Sequence, residues 1–485
     1  MKEKLTFITL GSIALVAVWT VLSLLLGAYI IPPPWTALFE TVSLFSLGFT
    51  WKHILITLFR VFAGFSLGFV SGMVVGFAAG RSKRVEQFFR PTILLFQGIP
   101  PILWAIPLIL VFGIGLVSPM IVIALICFPL VAVNISEGIK TVPKELEEMV
   151  GVFSPGHVPR IREVVLPHLK PFITSSLKLG VTLGIKASVV AEYFGANNGI
   201  GFQIQSAYQS LQIKRLFAWG IILILLIILS SRLLSPRLLV ASRKHKVRRA
   251  GDISREGREM KDLGKLLASP RNERPLRTRS LSFSYQDGRA VLEKVNLEVR
   301  IGEVAVISGE SGIGKTTLLK IIASILMPGS GTVETPEKVG FVFQDDRLIP
   351  WRSISRNVAL PLFCQDYSMK ASISIAEDLL KETGLSGKGP KLPEELSGGM
   401  RKRAALARCF ARLPELILFD EPMTGLHKEA RHYLWEKFFS LLKLYPVPVV
   451  IVTHFPEELK NFPNCSFYRL EGTPAALYPA GRPRT

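Results

Sequence analysis

Residues 309–316 read Gly-Glu-Ser-Gly-Ile-Gly-Lys-Thr, and their spacing is that of a phosphate-binding P-loop. Glycines let such a loop curl, so that several backbone N–H groups point at one anion. Lys315 can reach the outer phosphates of a nucleotide, and the Thr316 hydroxyl can ligate Mg²⁺. The predicted phosphate-binding residues are Gly309, Ser311, Gly312, Gly314, Lys315, Thr316 and Thr317.

The segments on either side of this loop support the same chemistry. Glu303–Ser308 (EVAVIS) predicts a buried strand, and Thr317–Ile325 predicts a helix. A helix that starts near Lys315 would add its positive N-terminal end to the anion site. The order of strand, loop and helix favours a nucleotide site over a glycine-rich turn that only resembles one.

Several further motifs follow the P-loop in the second half of the chain. The segment 396–400 reads LSGGM and precedes a predicted basic helix at Arg401–Arg412. Three predicted strands end at polar residues, namely 340–343 before Gln344, 416–419 before Asp420 and Glu421, and 449–453 before His454. Taken singly, such residues could be a helix N-terminal charge or a strand-end histidine. The alternation of strand and helix patterns from about residue 275 predicts an α/β domain.

The first half of the chain is apolar and predicts an all-α polytopic membrane domain. A membrane span needs about 20 mostly apolar residues. Six segments meet that requirement, namely Leu5–Ile31, Ile54–Gly80, Pro91–Gly113, Leu116–Ile135, Phe172–Ala191 and Phe217–Leu234. The fold class is therefore multidomain, with six transmembrane helices followed by an α/β P-loop ATPase domain. The predicted boundaries are 1–240 for the membrane domain, 241–274 for a linker and 275–485 for the ATPase.

The net charge of +21 is concentrated beside the last predicted span. Residues 232–279 contain fifteen Lys or Arg and five Asp or Glu, a net of +10. Because this segment adjoins a span, anionic lipid headgroups are its expected counter-charge, and no nucleic-acid recognition module accompanies it. Basic residues also favour one side of the membrane, which places both termini in the cytoplasm. Residues 252–267 of the linker predict an amphipathic helix or a flexible tether.

Ionisable residues and glycines interrupt the predicted spans. Glycines recur every fourth residue in the second span, at Gly64, Gly68, Gly72, Gly76 and Gly80, and predict a helix-packing seam. Arg60 and Lys178 lie near enough to span ends to extend their charges toward the interface. Lys186 either pairs structurally with Glu192 or attracts an anionic substrate.

The cytoplasmic loop 140–170 contains helical and turn patterns. A helical stretch at 143–150 is followed by Gly151, a Pro/Gly turn and a second basic segment that ends at Pro167. The loop is either a solvated connection or a short helix pair that docks onto the ATPase.

The motifs of the second half together resemble the ATPase of ABC transporters, from about Leu276 to the C-terminus. The resemblance implies that Tyr285 stacks on adenine, since its ring offers a flat π-face. It implies that Gln344 contacts Mg²⁺ and the attacking water, and that Asp420 holds Mg²⁺. Glu421 would polarise the attacking water, and His454 would contact the γ-phosphate.

The resemblance also implies how the ATPase assembles. In this family Ser397, Gly398 and Gly399 close over the γ-phosphate held by the opposite subunit. One chain has one P-loop and one LSGG segment, so a complete site needs two chains, and a homodimer is the simplest closure. Two positions depart from the family pattern, because His427 and Phe455 stand where aspartate is usual.

Spans two to six resemble the permeases of nitrate/sulfonate/taurine-type ABC importers. The resemblance rests on the segments 60–80, 91–115, 140–170 and 191–205. It implies an ATP- and Mg²⁺-dependent importer in the bacterial inner membrane, with an external solute-binding protein and a small-molecule substrate of the nitrate, sulfonate, taurine or thiamine-precursor class. An exporter or lipid flippase half-transporter is the alternative, because it fuses its domains in the same order. A soluble ABC factor is disfavoured by the six spans.

Overall fold

The computed structural model describes residues 2–153, 160–234, 274–285, 288–365 and 367–481. The described residues divide by contact into two compact units. One unit comprises Met1–Val142 with His168–Gly251, and the other comprises Pro143–Pro167 with Asp252–Thr485. Nearly all of the predicted linker, including the predicted helix at 252–267, lies outside the described residues.

Helices form all of the regular structure in the described part of the first half. They are α1 (Lys2–Leu26), α2 (Pro34–Phe45), α3 (Gly48–Arg81), α4 (Lys83–Gly98), α5 (Pro101–Phe112), α6 (Val117–Lys140), α7 (Lys144–Phe153), a π-helical turn (Ile161–Val165) that continues into α8 (Leu166–Gly195), α9 (Ile200–Gln209) and α10 (Ile213–Leu233). Five of these helical segments are long and apolar enough to cross a membrane, and a bent pair could provide a sixth crossing.

The predicted third span, Pro91–Gly113, is not one continuous helix, although the bent pair that contains most of it remains a candidate crossing. The structure breaks it into α4 and α5, which meet at an angle of 98°. Pro100 explains the break, since it lacks a backbone N–H and disfavours helical dihedrals at Ile99. Ile99 is indeed extended, with φ −88° and ψ 122°.

The glycines of α3 pack against α6, which confirms the predicted seam. A Cβ built on Gly68 would lie 2.6 Å from the Ala124 carbonyl oxygen, and one on Gly72 would lie 2.7 Å from that of Phe128. Because these distances are shorter than van der Waals contact, only glycine lets the two backbones approach this closely.

Arg60 is buried rather than extended toward the membrane surface, which corrects the sequence prediction. Its side chain is 1% exposed, and its Nη1 lies 3.0 Å from Oε1 of Glu192, which is fully buried. Glu192 also accepts hydrogen bonds from the Thr57 hydroxyl and the Gly201 backbone N–H. The partner of Glu192 is therefore Arg60, and the predicted pairing of Glu192 with Lys186 is wrong.

The second half folds as two sheets with helices. Its strands are β1 (Leu276–Ser284), β2 (Ala290–Val299), β3 (Val304–Gly309), β4 (Ser330–Glu334), β5 (Val339–Val342), β6 (Leu416–Asp420), β7 (Val449–Val452), β8 (Cys465–Glu471) and β9 (Ala476–Ala480). Its helices of eight or more residues are α11 (Lys315–Ile322), α12 (Ile354–Phe363), α13 (Met369–Glu382), α14 (Gly398–Ala411) and α15 (Lys428–Leu444).

The larger sheet positions the predicted site. Its strand order is β5-β6-β7-β3-β8-β9, and β5, β6, β7, β3 and β8 pair in parallel. Strands β3, β5, β6 and β7 are buried and apolar along their length, which is typical of a parallel sheet covered on both faces. Phe419, Trp435 and Phe438 belong to the buried core. The carboxyl ends of these parallel strands meet at one edge, where the P-loop and Glu421 lie.

Candidate nucleotide-binding site

The P-loop connects β3 to the first turn of α11. Gly312 and Gly314 have φ of 79° and 112°, in the left-handed region that favours glycine. A Cβ on Gly314 would also lie 2.7 Å from Cγ1 of Val291. The tight turn therefore needs glycine, and it places the N-terminus of α11 at the bottom of a cavity of about 510 Å³.

Lys315 lies folded back into this loop. Its Nζ donates to the backbone carbonyls of Gly309 and Glu310, at 3.0 and 2.8 Å, and lies 3.8 Å from Oε1 of Glu421. Burial lowers the pKa of Lys315, and the nearby carboxylates of Glu421 and Asp420 oppose that shift. The ammonium group is thus held by weak backbone acceptors that a phosphate can replace.

Thr316 and Asp420 bring two oxygen ligands together. The Thr316 hydroxyl donates to Oδ1 of Asp420 at 2.9 Å. Burial raises the pKa of Asp420, although the hydrogen bond from Thr316 opposes the shift. Hydroxyl and carboxylate oxygens are the ligands that Mg²⁺ prefers, so this pair fits a magnesium ion. Gln344, the third predicted ligand, lines the same cavity.

Glu421 and His454 form a close pair beside Lys315. His454 Nε2 lies 2.8 Å from Oε1 of Glu421. Glu421 has φ 46°, an uncommon conformation for a residue with a side chain, and its backbone N–H donates to Val452 O at 3.0 Å. The β6–β7 pairing thus fixes the backbone of Glu421 and turns its carboxylate toward the P-loop. Such local strain is typical of functional sites.

Tyr285 also lines the cavity. Its hydroxyl is 3.0 Å from the Thr317 hydroxyl, and its side chain is 45% exposed. The turn at residues 472–475, between β8 and β9, lines the same cavity. The sequence does not predict this turn as part of the site, because nothing in its composition marks a ligand contact and only the fold brings it to the cavity.

The LSGG segment lies elsewhere on the same unit. Ser397, Gly398 and Gly399 line a separate depression together with Gly425 and His427. Ser397 caps α14, and its hydroxyl accepts a hydrogen bond from the Met400 N–H at 3.4 Å. The structure of one chain therefore gathers the P-loop, Gln344, Asp420, Glu421 and His454, but it does not bring the LSGG residues to them.

Helix α7, from the predicted cytoplasmic loop, contacts the elements that follow the P-loop and Gln344. Glu148 lies 3.3 Å from Nζ of Lys320 on α11, and 3.0 Å from Nη1 of Arg347. Arg347 in turn stacks over the ring of Phe343, at 3.8 Å from its centroid. One carboxylate therefore joins the P-loop helix and the segment after Gln344. The sequence analysis placed this loop on the ATPase as one alternative, but it did not identify Glu148.

Two further contacts hold this cytoplasmic segment within the same unit. Phe153, 1% exposed, packs under the guanidinium of Arg408, 5.6 Å from its ring centroid. Glu163 pairs with Arg352. The solvated-loop interpretation is therefore wrong. The described part after the turn is not a separate second helix either, because Ile161–Val165 continues directly into α8.

Comparisons with known proteins define the class of this chain. Residues 64–238 match the family described as binding-protein-dependent transport system inner membrane component, and residues 292–424 match the ABC transporter family. The chain belongs to the ABC transporter family, with a permease domain fused to an ABC ATPase domain. It is therefore a membrane protein with a cytoplasmic, nucleotide-binding ATPase domain.

Individual relatives resemble the ATPase part. An ABC transporter ATP-binding protein of Bacillus subtilis, YtlC, is 39% identical over 36% of this chain and 69% of its own length. The aliphatic sulfonates import ATP-binding protein SsuB 3 of Paraburkholderia xenovorans is 38% identical over 39% of this chain and 75% of its own. The protein of the same description in Bacillus subtilis is 36% identical over 36% of this chain and 71% of its own.

Proposed function

We propose that this chain is an ATP-driven importer of a small solute and that it works as a homodimer. The observation that carries the proposal is the contact of Glu148 with both Lys320 and Arg347. It links a segment between two membrane helices to the helix that begins at the P-loop. A chain that only hydrolysed ATP would not need this link.

The roles of the site residues follow from their positions. Lys315 would leave its backbone acceptors for the phosphates of ATP. Thr316, Asp420 and Gln344 would hold Mg²⁺, which would supply positive charge to offset that of the phosphates. Glu421 accepts a proton from the attacking water, and His454 orients its carboxylate through the 2.8 Å contact. Tyr285 stacks on the adenine ring.

The separation of the LSGG segment from the P-loop supports a dimeric mechanism. A second copy, turned by a two-fold axis, would place its Ser397, Gly398 and Gly399 over the nucleotide held by the first P-loop. The N-terminus of α14 then points backbone N–H groups at the γ-phosphate. Two nucleotides would be enclosed in this way, and their cleavage would reopen the pair.

The segment 143–167 transmits this motion. Closure of two ATPase domains moves α11 and the residues after Gln344 as nucleotide binds. Glu148 follows both through its ion pairs, and Phe153 follows α14 through Arg408. The membrane helices that flank the segment would then alternate between outward and inward access.

Import from outside the bacterial inner membrane is supported by two features. The permease match is to a binding-protein-dependent transport component. The relatives include ATP-binding proteins of aliphatic sulfonate import. An external solute-binding protein would deliver the solute, and nitrate, sulfonates, taurine and thiamine precursors are the candidate classes. Both termini would lie in the cytoplasm with the ATPase.

Transport direction tests this proposal in vesicles of the purified full chain. A sulfonate-binding protein and radiolabelled ethanesulfonate are sealed inside, and ATP is supplied only outside, so that only outward-facing ATPase domains are energised. Import predicts that ATP depletes the label from the lumen, with the variant Glu421→Gln as the inactive control. In parallel vesicles with the label supplied outside instead, ATP-dependent accumulation of label in the lumen would show an exporter. An unchanged lumenal label in the first experiment would overturn sulfonate import.

A further inference from the structure

Four charged residues, Arg60, Lys178, Lys186 and Glu192, lie within the described membrane helices, and they fall into two groups. Arg60 and Glu192 are buried and bind each other. Lys178 and Lys186, both on α8, are exposed on the surface of the chain. Among the described residues, no hydrogen bond or ion pair engages either ammonium group. Glu192, the predicted ion-pair partner of Lys186, pairs with Arg60 instead, so this pairing does not explain Lys186.

The two lysines share one face of α8. Lys178, Thr182 and Lys186 are spaced by four residues, so their side chains stand one above another. The opposite face packs into the unit through Ser176, Gly180, Gly184, Ser188 and other small residues. α8 has the lowest hydropathy of the five candidate spans. The polar stripe interrupts an exposed apolar surface of this helix that includes Leu179 and Leu183.

Lys186 lies within the candidate span and away from the observed end of α8. Nine residues separate it from Gly195 at the end of α8, which is roughly 13 Å along a helix axis. That distance is longer than a lysine side chain can span. Exposed faces of other spans are apolar, as at Leu67, Val70 and Val74 of α3, and are suited to lipid. A lysine within a span is costly unless it faces water, a ligand or a charged partner.

We propose that Lys178, Thr182 and Lys186 line the solute path and select a small anion. The two ammonium groups stand about 12 Å apart along the helix, which forms two successive positive positions across the membrane. This inference rests on the proposed transport function and narrows its substrate to the nitrate and sulfonate chemistries, since a neutral or cationic pyrimidine gains nothing from two lysines. A second copy would present the same face across the path.

Thiol labelling tests the inference without any transport assay. The variant Lys186→Cys, in the full chain in lipid nanodiscs, is treated with an anionic sulfonatoethyl and a cationic trimethylammonioethyl methanethiosulfonate. Labelling at the introduced cysteine is followed by mass spectrometry, in nucleotide-free chain and in ATP-loaded chain carrying Glu421→Gln. The measured quantity is the rate with the anionic reagent divided by the rate with the cationic reagent, relative to the same ratio for a free thiol in solution. Because both reagents attack the same thiolate, any effect of Lys178 on thiol ionisation cancels in this ratio.

The anionic reagent is expected to react about three- to tenfold faster in at least one of the two states, at low salt. The ratio of the anionic to the cationic labelling rate should fall toward one when Lys178→Gln is added, and also in high salt. Val74→Cys is the lipid-facing control and should react with neither reagent. Elution as a single species and an unchanged thermal midpoint confirm that each variant is folded.

Two results would overturn the inference. Equal normalised rates in both states would show a water-filled path without anion selectivity. A Lys186→Cys thiol as unreactive as the Val74→Cys control in both states would show that this face meets lipid or protein. Neither result depends on the vesicle assay of transport direction, so failure of the proposed import and failure of the lysine path are separable.

Discussion

The molecule contains two clusters of charged residues that differ in how many hydrogen-bond partners they already have. We call the cluster around Arg60 and Glu192 the saturated cluster, and the cluster of Lys315, Asp420, Glu421 and His454 the open cluster. In the membrane helices, the Glu192 carboxylate accepts hydrogen bonds from Thr57, Arg60, Ser188 and the Gly201 N–H. At the P-loop, Lys315 is held by two carbonyl oxygens, with Glu421 at 3.8 Å, beside an open cavity. In the first cluster, the carboxylate of Glu192 has no free capacity to bind a ligand. In the second cluster, Lys315 can exchange its carbonyl contacts for a ligand.

This contrast separates structural charges from functional ones. A buried ion pair whose hydrogen-bond partners all belong to the chain fixes the packing of helices. Removing one residue of the pair leaves the other with an uncompensated buried charge. A site whose contacts are weak and exchangeable can bind and release nucleotide in each cycle. Burial alone does not distinguish them, because Arg60 and Lys315 are 1% and 4% exposed.

The largest expected effect concerns activity at the open cluster. Glu421→Gln should lower ATP turnover by about 10²–10⁴-fold, because the amide cannot accept the proton of the attacking water. The thermal midpoint should stay close to that of the unaltered chain, since the His454 contact is the main one lost. Steady-state ATP hydrolysis and thermal unfolding of the same preparation test both parts. Full turnover by the variant would remove Glu421 from the mechanism.

The next effect concerns stability at the saturated cluster. Arg60→Met should destabilise the membrane domain by roughly 3–5 kcal/mol, because Glu192 would be left buried without its charged partner. Lys214→Gln, at an exposed position on α10, is the matched control and should change stability by less than about 0.5 kcal/mol. Unfolding in mixed micelles is the measurement. Equal stability of the two variants would show that the pair is not structural.

A smaller effect is expected at the helix seam beside that cluster. Gly72→Val should cost about 1–3 kcal/mol, since its side chain would meet the Phe128 carbonyl and Val131 on α6. Gly220→Val, where no atom lies within 4 Å of the added Cβ, is the matched control. The same unfolding assay compares them. The seam would be refuted by a Gly72→Val variant as stable as its control.

The smallest effect is a pH dependence of nucleotide binding at the open cluster. Burial lowers the pKa of Lys315 in the empty site, and bound phosphates favour the charged form and raise that pKa again. Binding therefore takes up a proton in the window between the two values, and ATP affinity should fall as pH rises toward the ordinary lysine range. Titrations with a fluorescent ATP analogue from pH 7 to about 9.5 measure this change, which should be several-fold. A Lys315→Met variant should show no such slope, and a flat profile in the unaltered chain would contradict the lowered pKa.

Short motifs made much of the ATPase predictable. The P-loop, Asp420, Glu421 and His454 each lie at or just after the carboxyl end of a strand, and a parallel sheet brings those ends to one edge whatever the loops do. The packing seam was predictable for a similar reason, since five glycines at fixed spacing define one helix face.

Contacts between distant segments were not predictable in the same way. The pairing of Arg60 with Glu192 joins residues 132 positions apart, and Lys186 was an equally acceptable partner for Glu192 by sequence. The helix break at Ile99 and Pro100 could not be predicted from hydropathy, because the surrounding segment is apolar throughout. Hydropathy does not reflect the missing backbone N–H of proline. The pairing of Glu148 with Lys320 and Arg347 likewise depends on the tertiary fold.

Complementation between two inactive chains tests the central claim, a nucleotide site shared by two copies. Lys315→Ala removes the P-loop lysine and Ser397→Arg blocks the LSGG segment, so each homodimer should be inactive. A heterodimer purified through two different tags regains one intact site, made of the P-loop of one chain and the Ser397 of the other. Turnover per dimer should recover to about half that of the unaltered protein if the two sites act independently. A heterodimer as inactive as both homodimers, or a fully active Ser397→Arg homodimer, would contradict the account.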